Sequence, residues 1–192
     1  TGKASLNETD FSLTQLLNFL SVVFEESAKE DEIELSFTTS NLPEFVFGDK
    51  ERLRRVLSNL LSNAIRYNKK YGHVDFIVEN LGLSNGAYKI RFTVSDDGIG
   101  MSEEKVKNIF VPYSDLDTPD SDVIYGVGMG LSVASNIVKE MGGTINVTSA
   151  EGTGSTFWFE INLKVSEAFE GAGAVEEKKE LEGKTVLIAD DD

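Results

Sequence analysis

Asn59-Leu-Leu-Ser-Asn63-Ala-Ile-Arg66-Tyr67 is the stretch on which the reading of this chain turns. Leu53, Val56, Leu57, Leu60, Leu61 and Ala64 recur around it at helical spacing, and Asp49 stands where an N-cap belongs. Asn59 and Asn63, four residues apart, share one face of that helix. A carboxamide on a leucine-rich helix is costly to bury without a partner. Its oxygen is also a suitable hard ligand for Mg²⁺, which keeps several waters and takes further ligands from phosphates. A pair of core asparagines tied to backbone remains the plainer alternative. Arg66 and Tyr67 follow on nearly the same side.

Downstream come three glycine-containing stretches. Asp96-Asp97-Gly98-Ile99-Gly100 ends the strand pattern Ile90-Arg-Phe-Thr-Val94-Ser95. A carboxylate there can accept a hydrogen bond from an exocyclic amine, and glycines let backbone approach a flat base; a tight turn with an exposed acid fits equally. Gly126-Val-Gly128-Met-Gly130-Leu131 leads into a helix, where free amides and the helix dipole favour an anion, though a flexible hinge would look the same. Gly152-Thr-Gly154-Ser-Thr-Phe157 alone is a hairpin turn.

The rest of the chain supplies a frame. Ser12-Leu-Thr-Gln15 reads as a capping box opening a helix with Leu13, Leu16, Leu17, Leu20 and Val23 inward. Strands are expected at 33–38, 73–80 and 87–95, the last two joined near Asn85-Gly86. A short helix at 103–110, an irregular stretch at 111–128 suited to a functional lid, a helix at 129–141 and a hairpin of 144–149 with 155–163 complete the domain. That order predicts an α+β fold, a mixed β-sheet with helices layered on one face. Residues 1–9 read as a connection, 10–165 as the domain, 166–183 as a linker, and 184–192 as the first strand of another domain.

With 192 residues, 40% apolar and 27% charged, the balance is globular. A net charge of −15 argues against nucleic acid as a partner. There are no cysteines, so disulfides and thiolate metal sites are excluded. No apolar run approaches the ~20 residues of a membrane span and no signal peptide opens the chain. The expected setting is cytoplasmic without direct membrane contact, whether or not a parent protein is anchored.

Taken together, the asparagine helix and the glycine stretches resemble, in order, the N box and glycine boxes of the histidine kinase ATP-binding domain. Ile109-Phe110-Val-Pro112-Tyr113 resembles the aromatic box between the first two glycine motifs. The resemblance covers about 10–165 and implies a Bergerat-type α/β sandwich using ATP and Mg²⁺. By that likeness Asp96 reads the adenine amine, and Gly98 and Gly100 shape the base pocket. Asn63 holds Mg²⁺ with help from Asn59, Arg66 faces phosphate, and Tyr67 packs near the nucleotide. Gly126, Gly128 and Gly130 let the lid close, with Met129 and Thr156 in the nucleotide-binding set. Ile99, Met101, Ile109 and Leu131 are expected as apolar walls. The resemblance also implies a helical dimerisation domain of the same protein carrying the phosphoacceptor histidine. Asp190 and Asp191 match the acid pair that opens a receiver domain, so the expected parent is a hybrid sensor kinase.

Related ATPases of this fold (DNA gyrase B subunits, heat-shock chaperones, mismatch-repair proteins) resemble one another in placing a glutamate base four residues before the metal asparagine. Here that position is Asn59, whose neutral amide cannot take a proton, which disfavours hydrolysis and favours transfer to an imidazole. An alternative is a kinase-inactive nucleotide-sensing module, because Val111–Met129 holds Asp115, Asp117, Asp120 and Asp122 but no lysine or arginine. His73, the sole histidine, lies in Tyr71-Gly-His-Val-Asp-Phe at a strand start. That is not the family's helical acceptor context, and His73 reads as a surface or strand-edge residue. No second histidine or cysteine exists to share a metal with it.

Overall fold

A computed structural model describes residues 6–111 and 128–167. Gly126, most of the expected lid, the linker from 168 onward and the acid pair near 190 lie outside the described residues. For Gly128 and Met129 only the backbone is described.

The first helix, α1 (Leu13–Glu30), follows a short strand β1 (Thr9–Ser12). Ser12 Oγ accepts the Gln15 amide at 3.1 Å, the cap expected from the sequence. Leu13, Leu16, Leu17, Leu20, Phe24 and Ala28 are buried along one stripe. Val23 was expected there but is exposed. Eleven residues past Leu13, Phe24 returns to the stripe at 100° per residue, whereas Val23 is rotated off it.

Next come β2 (Glu34–Ser40), β3 (Phe45–Gly48) and the helix α2 (Lys50–Arg66). Buried Asp49 caps α2 through Oδ1 to the Arg52 amide at 3.0 Å. Its Oδ2 accepts the Asn7 amide at 2.9 Å. Asn7 and the strand that starts at Thr9 are thereby tied to the domain. The strands β4 (His73–Ser84) and β5 (Ala87–Asp96) turn at Asn85 and Gly86, which have φ of 51° and 72°. Two successive left-handed residues make the turn that matches strand twist. A short α3 (Glu103–Asn108), α4 (Gly128–Glu140), β6 (Ile145–Ala150) and β7 (Gly154–Val165) complete the order.

The seven strands form one mixed sheet in the order β1-β3-β7-β5-β4-β2, with β6 also on β7. Only the β2–β4 pair is parallel. Strand alternation sends Val74, Phe76, Val78, Ile90, Phe92, Val94, Phe157, Phe159, Ile161 and Leu163 to the face packed with α1, α2 and α4. Phe92 stacks on Phe159 with ring centroids 5.0 Å apart. Burying each such ring contributes roughly 1.5–3 kcal/mol. Arg91, Trp158 and Glu160 occupy the other face, which stays half-exposed. This is the expected α+β layer. Because β4 lies between β5 and β2, His73 is not on a sheet edge; it begins an interior strand. Among the described residues, no helix is long and apolar enough to cross a membrane.

Candidate nucleotide-binding cleft

Between the C-terminal half of α2 and the adjoining ends of β5 and β7 lies a cleft that opens to solvent. Asn63, Ala64 and Tyr67 line it from α2, Asp96 from β5, and Ser155 and Phe157 from β7. Ile99, Gly100, Met101, Lys105, Ile109 and Leu131 close the remaining sides.

Asp96 is held by its neighbours. Its Oδ1 accepts the amides of Gly98 at 3.0 Å and Ser155 at 3.2 Å, while among the described residues Oδ2 has no hydrogen-bond partner. Burial pushes its pKa upward, against the pull of those two amides and with a push from Asp97. Asp97 goes the other way. The His73 amide at 2.6 Å and Lys69 at 3.1 Å hold its carboxyl below the ordinary range. Of two adjacent acids, one fastens β4 to β5 and the other presents a free oxygen to the cleft.

The glycines around Asp96 are needed for backbone to meet backbone. Gly154 has φ +92°, and a Cβ there would fall within 3.0 Å of the Asp96 carbonyl. Gly100 has φ +64° and would collide in the same way with the Ala150 carbonyl. The Gly152 amide donates to Ile99 O at 2.8 Å, and Ser149 Oγ accepts the Met101 amide at 2.9 Å while donating to Gly154 O at 2.8 Å. The first and third glycine stretches thus clasp each other. Gly98 is not among the cleft-lining residues; it packs beneath the Tyr67 carbonyl and Asn68.

On α2 the carboxamides are linked, Asn63 Nδ2 donating to Asn59 Oδ1 at 3.4 Å. Gly130 lies against Asn59, where any Cβ would come within 3.0 Å of the carboxamide. Asn63 reaches the cleft and Asn59 sits behind it. This arrangement fits Mg²⁺ through Asn63, whose carboxamide oxygen is a hard donor without a partner among the described residues. No cluster of three His, Cys, Asp or Glu is present among the described residues, so protein acids cannot hold the ion by themselves. Phosphate and water oxygens would supply the rest.

Expected wall residues Ile99, Met101, Ile109 and Leu131 all line the cleft, as does Tyr67. Ile99 is 56% exposed, an apolar side chain at the rim that a flat base could cover. Two expectations change. Thr156 points away, its hydroxyl 2.7 Å from Ser95 Oγ, because strand alternation gives Ser155 and Phe157 the cleft face. Arg66 lines a different groove, with Ser62, Ile65 and Asn68 beside the end of α1. Sequence reasoning missed Ala64, Lys105, Ser155 and Phe157. The period-2 pattern through Phe157 and Phe159 carried the signal for Ser155, and Met101, Lys105 and Ile109 stand at four-residue spacing.

A half-buried acid at a strand end, an asparagine helix beside it and interlocked glycine turns thus share one cleft. The chain belongs to the histidine kinase-, DNA gyrase B-, and HSP90-like ATPase family, whose model matches residues 48–165. It is similar to the signal transduction histidine-protein kinase BarA of Escherichia coli (strain K12), 34% identical over 166 residues. That match takes in 86% of this chain but 18% of the relative, so the chain spans about a fifth of that protein. The catalytic domain of the histidine kinase ThkA superposes with a TM-score of 0.65 at 31% identity, covering 81% of this chain and 95% of that one. Full-length ShkA in complex with AMPPNP gives a TM-score of 0.70 at 27% identity, covering 86% of this chain and 33% of that one.

Proposed function

We propose that this chain binds Mg-ATP in the cleft and transfers the γ-phosphoryl group to a histidine on a separate helical dimerisation domain. The observation that carries this reading is the pairing of Asp96, with a free Oδ2, and Asn63 in one cleft, backed by Asn59 where a hydrolytic base would stand. Asp96 accepts the adenine amine. Ile99, Met101 and Phe157 cover the base, and Asn63 faces the phosphates. Mg²⁺ held there would spread the charge of the β- and γ-phosphates. An incoming imidazole nitrogen forms the N–P bond as the γ-phosphate's bond to ADP breaks, and the imidazole proton passes to solvent. The tie from Asn63 and the contact with Gly130 occupy the Asn59 carboxamide, which leaves no group at that position to activate water. The likeness to a signal transduction histidine-protein kinase and to the catalytic domain of another histidine kinase supports the same chemistry. We place the domain in the cytoplasm, with a receiver domain as the next phosphate acceptor.

The test incubates this chain with γ-labelled ATP, Mg²⁺ and a supplied helical domain bearing its histidine. Acid-labile, base-stable label is expected on the supplied domain and not on His73. ATP binding without transfer would replace this reading with the nucleotide-sensing module, and release of inorganic phosphate without transfer would replace it with an ATPase.

A further inference from the structure

Among the described residues lining the cleft, Lys105 is the only cation and Asp96 the only anion. Lys105, in the first turn of α3, reaches the cleft together with Met101 ahead of that helix and Ile109 at its C-terminal cap. Ser102 Oγ accepts the Lys105 amide at 3.4 Å, which sets the first turn of that helix. Although Glu103 and Glu104 are adjacent in sequence, Lys105 is exposed and forms no ion pair among the described residues. Among the described residues, no other lysine or arginine lines the cleft. Arg66 lines a separate groove, residues 111–129 contain neither lysine nor arginine, and the chain carries a net charge of −15. A triphosphate entering such a surface is repelled unless a cation meets it.

We propose that Lys105 meets the phosphate chain of the bound nucleotide and discriminates nucleotides from nucleosides. This rests on the reading of the cleft as the nucleotide site. The apolar stem of Lys105 lies along the cleft wall while its ammonium, mobile on four carbons, supplies the charge.

Lys105→Met keeps the stem and removes the charge, Lys105→Arg keeps the charge, and Lys107→Ala on the same helix serves as the control. Affinities for Mg-ATP and for adenosine are measured by NMR titration, which reaches millimolar dissociation constants, after thermal melts confirm an unchanged fold. Lys105→Met is expected to weaken Mg-ATP about tenfold and to leave adenosine within twofold, with Lys105→Arg and Lys107→Ala close to wild type. Unchanged Mg-ATP affinity in Lys105→Met would overturn the proposal, and so would a parallel loss for adenosine, which would assign the effect to packing on the base. Wild-type protein that bound neither ligand would strike the reading of the cleft itself, a result distinct from either.

Discussion

Replacing Asp96 by asparagine changes one atom at the centre of the cleft. Oδ1 already accepts two amides, from Gly98 at 3.0 Å and Ser155 at 3.2 Å, and the asparagine oxygen can keep both. The fold should therefore hold, and burying a neutral amide removes the desolvation that raises the pKa of Asp96. What changes is Oδ2, which becomes an NH₂ donor facing the exocyclic amine of adenine, donor against donor. Losing a hydrogen bond to a charged group costs roughly 1.5–3 kcal/mol. At about 1.4 kcal/mol per decade, that is roughly a ten- to hundredfold rise in Kd for Mg-ATP. A 6-oxo purine presents an acceptor at the same place, so GTP should lose little or gain. Calorimetric titration of both nucleotides, with circular dichroism melts alongside, measures the contrast. Equal losses for ATP and GTP at an unchanged melting temperature would refute Asp96 as the reader of the base.

Further expectations concern metal, clasp and pH. Asn63→Ala should abolish the Mg²⁺-dependent part of nucleotide affinity without moving the melting temperature, as titrations with and without the ion will tell. Gly154→Ala combines left-handed strain of roughly 1–2 kcal/mol with a collision against the Asp96 carbonyl. Gly152→Ala at φ +76° meets nothing within 4 Å, so Gly154→Ala should lower stability in urea melts distinctly more. The pKa of Asp96 lies above its ordinary 3.8, so the folded state holds that proton after the unfolded chain has released it. This group alone should make stability fall as pH rises from near 3.8 through the raised value, a slope that Asp96→Asn removes. Mg-ATP affinity should weaken as pH falls through that same raised value; a profile flat down to the ordinary carboxylate range would contradict the burial argument.

Local patterns were enough for the helices, their caps and the turn at Asn85-Gly86, because each depends on residues within a few positions. Ser12 and Asp49 cap as their types dictate, and leucines repeated every three or four residues set the inner faces of α1 and α2. The four-residue strands β1 and β3 escaped notice because two buried positions apiece make no period. At the cleft, Asp96 and Asn63 were legible as polar residues in apolar settings. The clasp was not. It joins Asp96 to Ser155 across 59 positions, and no nearby residue announces such a meeting. Thr156 was misplaced for want of counting alternation from Phe157, and Arg66 because its exposed side chain lies along a groove that involves α1.

Strand β7 is the hub of the sheet. β7 pairs with β5 along its length, with β6 near its start and with β3 at its end. On a ribosome the β1–β3 pair therefore waits, its open edge unpartnered, until residue 165 has cleared the exit tunnel. Such a topology delays completion of the sheet until β7 has been made and lowers the folding rate through long loop closures. A nascent chain halted within β7 would expose the Phe92 side of β5 and the flank of β3 together, which makes the closing residues the natural target for chaperones and for truncating mutations alike.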